Sequence, residues 1–161
     1  TYICRKIVVQ ESMRIEEEIK QPVFKSVHQK ALINLIYSAG WVEQRQAEEL
    51  RTYRLTLPQY NILRILRGQH PKPATVNLLI ERMLDKTSNA SRIVDKLVAK
   101  GLVSRTQCEH DRRTVDVLIT QAGLDLLERI AADSKDSFFG LQHLTEAEAE
   151  TLNQLLDKIR S

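Results

Sequence analysis

The residues between Asp85 and Gly123 combine types and spacings that could do chemistry. Lys86, Thr87, Ser88, Asn89, Ser91 and Arg92 are polar or basic side chains gathered where a short amphipathic helix begins, and that helix ends at Gly101. Asp111, Arg112 and Arg113 then crowd the tip between two apolar, β-branched segments. Short polar side chains at a helix start can reach base edges, and the helix terminus itself favours phosphate. An arginine on a slender hairpin fits the narrow, negative minor groove, and a neighbouring carboxylate can fix its guanidinium. Helix and basic hairpin together could therefore grip duplex DNA at two grooves.

Charge is distributed in the same sense. Residues 1–50 are neutral, residues 51–120 carry a net +7, and residues 121–161 carry a net −4. From Arg51 to Ile80 there is no acidic residue, while Arg51, Arg54, Arg64, Arg67 and Lys72 are present. A basic middle suits phosphates, which supply most of the affinity in DNA binding.

Other chemistries find less support. Aromatic residues make up 5% of the chain, too few for a base-stacking platform. Cys4 and Cys108 form no disulfide framework, and His28, His70, His110 and His143 are scattered, so no metal site and no cofactor is expected. No nucleophile–base pair, phosphate-cradling glycine loop or carboxylate dyad points to an enzyme. No apolar run is long enough for a membrane span, and residues 1–12 lack the pattern of a secretory signal. The expected compartment is the reducing cytoplasm, at the nucleoid.

The elements that must hold these residues are helical. Pro22 reads as a helix start, with Val23, Val27, Ala31, Ile36 and Ala39 at helical spacing up to about Tyr53 and a bend at Gly40. Thr56 and Gln59 make a capping box, Pro58 sits in the first turn, and Ile62, Leu63, Ile65 and Leu66 form a buried face. Pro71 and Pro73 read as a rigid connector, and Thr75 as the cap of the next helix. The helix of interest is expected from near Thr87, burying Ala90, Ile93, Val94 and Leu97. Strands follow from Leu102 and through Val115, Val117 and Ile119. Thr145 and Glu148 form a second capping box ahead of a stripe of Ala149, Leu152, Leu155, Leu156 and Ile159.

Four segments in register resemble the MarR family of bacterial and archaeal transcription regulators: L-T-L-P-Q-Y-N-I-L-R-I-L (55–66), S-N-A-S-R-I-V-D-K-L (88–97), K-G-L-V-S-R (100–105) and D-R-R…I-T-Q-A-G (111–123). The last resembles the family's Asp-x-Arg wing followed by Thr-x-x-Gly, with Ile119 where Leu is usual. The resemblance covers residues 25–160. It implies a mainly α fold with a small β-hairpin wing, a winged helix-turn-helix with N- and C-terminal dimerisation helices. It implies that Ser88, Asn89, Ser91 and Arg92 lie on the recognition helix, that Arg113 enters the minor groove with Asp111 orienting it, and that Arg112 meets phosphate. Thr75, Lys86 and Thr87 complete the expected DNA-binding set.

The expected organisation is an N-terminal extension at 1–14, which could be native or an upstream addition (Thr1 stands where Met would, and Met13 could be the start), a dimerisation helix at 15–54, a DNA-binding lobe at 55–122 and C-terminal dimerisation helices at 123–161. The expected partners are double-stranded DNA, with a pseudo-palindromic operator, and a second copy of the chain; no membrane is expected. A small-molecule effector is a further candidate, lined by Tyr37, Trp41 and Tyr53, in a repressor. Two alternatives share the fold: a thiol switch at Cys4 or Cys108, and a winged helix used for protein contact.

Overall fold

The computed structural model describes residues 14–107, 115–133 and 141–161. The described residues form two compact units, one up to Trp41 and one from Val42.

In the first unit, helix α1 (Ile15–Glu18) precedes the start of α2 (Val27–Thr52). The sequence suggested a helix starting at Pro22; it starts at Val27. Ser26 supplies the reason, since its hydroxyl accepts the Gln29 N–H at 3.1 Å while the Gln29 side chain accepts the Lys25 N–H at 2.7 Å. The Ser26 bond satisfies a donor that a helix start leaves orphaned, and the Gln29 bond fastens the residue that precedes it. Lys30 binds Glu16 at 2.5 Å and holds its carboxyl below the usual range. Val27, Leu32, Leu35 and Ile36 are exposed.

The second unit contains the core. Helix α3 (Leu57–Gln69) begins at Thr56 with the expected capping box and Pro58 in its first turn. Its buried face is Ile62, Leu63, Ile65 and Leu66. Strand β1 (Ala74–Thr75), helix α4 (Val76–Arg82), helix α5 (Ala90–Ala99), strands β2 (Val103–Gln107) and β3 (Val115–Ile119), and helix α6 (Gln121–Asp133) follow. The strands form an antiparallel sheet in the order β1-β3-β2. Val103 pairs with Ile119 and Gln107 with Val115 in the hairpin, and Ala74 pairs with Val117 at the other edge. The two residues that follow the Pro71–Pro73 connector thus supply a strand that the sequence reading did not include. Ala74, fully buried against the hairpin, fits there because it is small.

Leu79, Val94, Leu97, Val117 and α6's Leu126, Leu127 and Ile130 close one core with α3. A 3₁₀ turn (Leu141–His143) leads toward α7 (Glu146–Ile159), which has no buried residue. Among the described residues no helix is long and apolar enough to cross a membrane.

Candidate nucleic-acid interface

Helix α5, the recognition helix that the family resemblance implies, starts later than its sequence suggested. Thr87 and Ser88 precede it, and Asn89 is its N-cap, with the side-chain oxygen accepting the Arg92 N–H at 3.0 Å. The polar run from Asp85 to Ser88 favours a local alternative to helix, because short side chains can bond the backbone instead. Asp85 provides it. One carboxylate oxygen accepts the Thr87 N–H at 2.8 Å and the Thr87 hydroxyl at 2.6 Å; the other accepts the Ser88 hydroxyl at 2.5 Å. Those bonds, led by Ser88, hold the Asp85 carboxyl down to about 2. Lys86 turns back, its ammonium donating to the Ile80 and Glu81 carbonyls at the end of α4. A cation there complements the helix dipole.

From this capped start, Ala90, Val94 and Leu97 anchor α5 in the core and Ile93 is half-buried. Asn89 and Arg92 are exposed, and Ser91 is half-buried. Thr75 lies in β1 and caps α4, its hydroxyl accepting the Leu78 N–H at 3.2 Å. Asp111, Arg112 and Arg113 lie outside the described residues, as do Cys4 and Cys108.

Helix, hairpin and scaffold are joined by side chains whose partners the sequence leaves open. Arg105 on β2 pairs with Asp95 on α5. Lys100 donates to the Arg54 carbonyl and, at 3.0 Å, to the side chain of Gln59, which is buried. Thr120 donates to the Gly101 carbonyl at 2.8 Å and accepts the Gly123 N–H at 3.2 Å. A Cβ on Gly123 would stand 2.4 Å from the Leu102 carbonyl oxygen. The Thr-x-x-Gly signature therefore seats α6 against the base of the hairpin, by a cap and by close backbone approach. The signal for Lys100 and Arg105 was present in K-G-L-V-S-R, but their partners are remote in sequence.

The aromatic residues expected around an effector have other bonds. The Tyr37 hydroxyl donates to Glu18 at 2.5 Å within the first unit, and the Tyr53 hydroxyl donates to Asp133 at 2.6 Å within the second. Each carboxylate stabilises the protonated phenol and raises its pKa. Trp41 is partly exposed on α2.

A capped helix beside a two-stranded hairpin, on a three-helix scaffold, defines a winged helix-turn-helix. The MarR family model matches residues 55–115. The HTH-type transcriptional regulator YpoP of Bacillus subtilis is 30% identical over 117 residues, spanning 72% of this chain and 82% of its own. A MarR transcription factor from Planctomyces limnophilus is 30% identical with a TM-score of 0.65, covering 84% of this chain and 98% of that one. A mutant E. coli MarR complexed with operator DNA has the same fold, at 23% identity and a TM-score of 0.67, with 91% and 99% covered. The chain belongs to the MarR family, and it is a DNA-binding transcriptional regulator.

Proposed function

We propose that the chain acts as a homodimeric, effector-responsive repressor that binds a pseudo-palindromic operator, with the start of α5 in the major groove and the wing in the minor groove. The observation that carries this reading is the start of α5. Its exposed Asn89 and Arg92 project from a helix fixed by Ala90, Val94 and Leu97, and Asp95 is paired to the hairpin. Rigid presentation of short polar and basic side chains is what base readout requires. Thr87, Ser88 and Ser91 complete the reading edge. Lys86, bonded to the end of α4, and Thr75, which caps it, contribute by positioning that edge. Arg113 supplies the minor-groove contact, with Asp111 orienting it and Arg112 on phosphate.

Two apolar surfaces support the homodimer. Leu152, Leu155 and Ile159 are exposed on α7, and Val27, Leu32, Leu35 and Ile36 are exposed in the first unit. Segments 15–54 and 123–161 would supply the interface, leaving 55–122 as the DNA lobe. Two copies would place their recognition helices about one DNA turn apart. The work is then done on chromosomal DNA in the cytoplasm. An effector bound near Tyr37, Trp41 or Tyr53 would act by favouring a different lobe spacing. An anionic one must displace Glu18 or Asp133 to use either tyrosine hydroxyl.

Fluorescence anisotropy tests the reading on a duplex selected by the protein from a random-sequence pool and on its scramble, across a salt series. Arg92→Ala should cost about 1–3 kcal/mol on the selected duplex and little on the scramble. Arg113→Ala should weaken both and flatten the log–log salt slope by roughly one. Equal binding of both duplexes by the unmodified protein would overturn the proposal.

A further inference from the structure

The turn before the recognition helix has a hydrogen-bond polarity that dictates which groups it can meet. A hydroxyl carries one proton. Thr87 and Ser88 both spend theirs on the Asp85 carboxylate, at 2.6 and 2.5 Å. What remains on each oxygen is lone pairs. A phosphate oxygen only accepts, so neither hydroxyl can donate to the DNA backbone while Asp85 holds it. The carboxylate charge beside them disfavours phosphate as well. Asn89 has the opposite bias. Its oxygen is turned inward onto the Arg92 N–H at 3.0 Å, leaving its NH₂ group as donor.

From this we propose that Asp85 is a positioning residue for sequence readout: it makes Thr87 and Ser88 act as acceptors, so that this turn selects exposed base amino groups rather than gripping phosphate. The donors available in the major groove are the N6 amino group of adenine and the N4 amino group of cytosine. The turn therefore presents acceptors at Thr87 and Ser88, followed by donors at Asn89 and Arg92. Removing Asp85 would release both hydroxyls to rotate toward phosphate and would delete a negative charge from the interface. Discrimination should fall while sequence-independent affinity rises. The inference rests on the proposal that this end of α5 contacts DNA.

The test uses the full chain and the duplex it selects from a random-sequence pool, with a scramble of the same composition. Asp85→Asn keeps the shape of the side chain but loses the charge and replaces one acceptor oxygen by a donor, so the two hydroxyls can no longer both spend their protons on separate oxygens. Its ratio of selected to scrambled affinity should fall roughly tenfold, about the value of one good base contact. Scramble binding should tighten and its salt slope should steepen by about one. In a second arm on the unmodified protein, adenines of the selected duplex are replaced one at a time by purine, and cytosines by the analogue lacking N4. At least one replacement should cost roughly tenfold, and that penalty should vanish in Thr87→Val or Ser88→Ala.

If Asp85→Asn weakens both duplexes equally with a lowered melting temperature, Asp85 is merely structural and the inference fails. Indifference of the unmodified protein to every amino-group deletion overturns it too, even if Asp85→Asn does not fold. An unmodified protein that binds the two duplexes equally condemns the DNA-contact reading itself, a distinct result.

Discussion

Helices α5 and α7 are alike in sequence and opposite in fate. Both are short and amphipathic and both open on a side-chain cap, Asn89 for one and Thr145 with Glu148 for the other. Yet α5 buries Ala90, Val94 and Leu97 in the core, whereas α7 leaves Leu152, Leu155 and Ile159 exposed. Helix propensity and capping therefore decide that each helix exists, but not what it is for. A helix whose stripe is satisfied within its own lobe is free to offer its polar face to a ligand. A helix whose stripe is unsatisfied offers the stripe itself, to an apolar surface such as a second copy.

The largest effect should come from the buried stripe. Leu97→Ala removes a fully buried side chain and should cost about 2–5 kcal/mol, read as a shift in urea midpoint. A cost below about 1 kcal/mol would mean that α5 is not integral to the lobe.

Next comes the exposed stripe. Leu155→Asp with Ile159→Asp should leave that core intact, with an unchanged unfolding midpoint for the lobe. Light scattering at micromolar concentration should show a dimer becoming a monomer, because a charge buried at an interface costs several kcal/mol. A dimer that survives both substitutions removes α7 from the interface.

The caps give a smaller, matched pair. Asn89→Ala and Thr145→Ala should each cost roughly 1 kcal/mol of local helix stability. Hydrogen exchange should report the loss in α5 for one and in α7 for the other, with DNA binding damaged only by Asn89→Ala. Equal damage from both would erase the difference in role between the two helices.

The smallest effect is in pH. Asp85 and Glu148 both have carboxyls lowered by bonds to hydroxyls and backbone N–H groups, Asp85 chiefly through Ser88 and Glu148 chiefly through the Thr145 N–H. A lowered folded value means the contribution is fully present above the unfolded carboxylate pKa of about 4 and is lost as pH falls through the folded one. NMR of the side-chain carboxyls should therefore show Asp85 titrating near 2. Order in the turn at 85–88 should persist down to that range. An Asp85 midpoint near 4 would show that the carboxylate does not hold the turn in solution.

Much of this was legible in the chain. The box at Thr56 and Gln59, the buried faces of α3 and α5 and the β2–β3 hairpin follow from local pattern, and the structure bears them out. The start of α5 is not legible in the sequence, because Thr87 and Ser88 look like ordinary first-turn residues and only the fold shows Asp85 claiming their hydroxyls. Strand β1 is not legible either, because two residues carry no periodicity, and only pairing with Val117 and Asp116 makes Ala74 and Thr75 a strand.

What the sequence determined by itself is what depends on neighbours within a turn or two: caps, amphipathic stripes, alternation, the basic middle of the chain, and through the four motif segments the MarR family. Tertiary structure alone decided which polar atoms are spent on partners remote in sequence. Lys100 on Gln59, Arg105 on Asp95 and Tyr53 on Asp133 join residues 41, 10 and 80 positions apart. A hydrogen bond consumes a specific proton or lone pair, and which one is consumed is a matter of distance in space, to which spacing along the chain is blind.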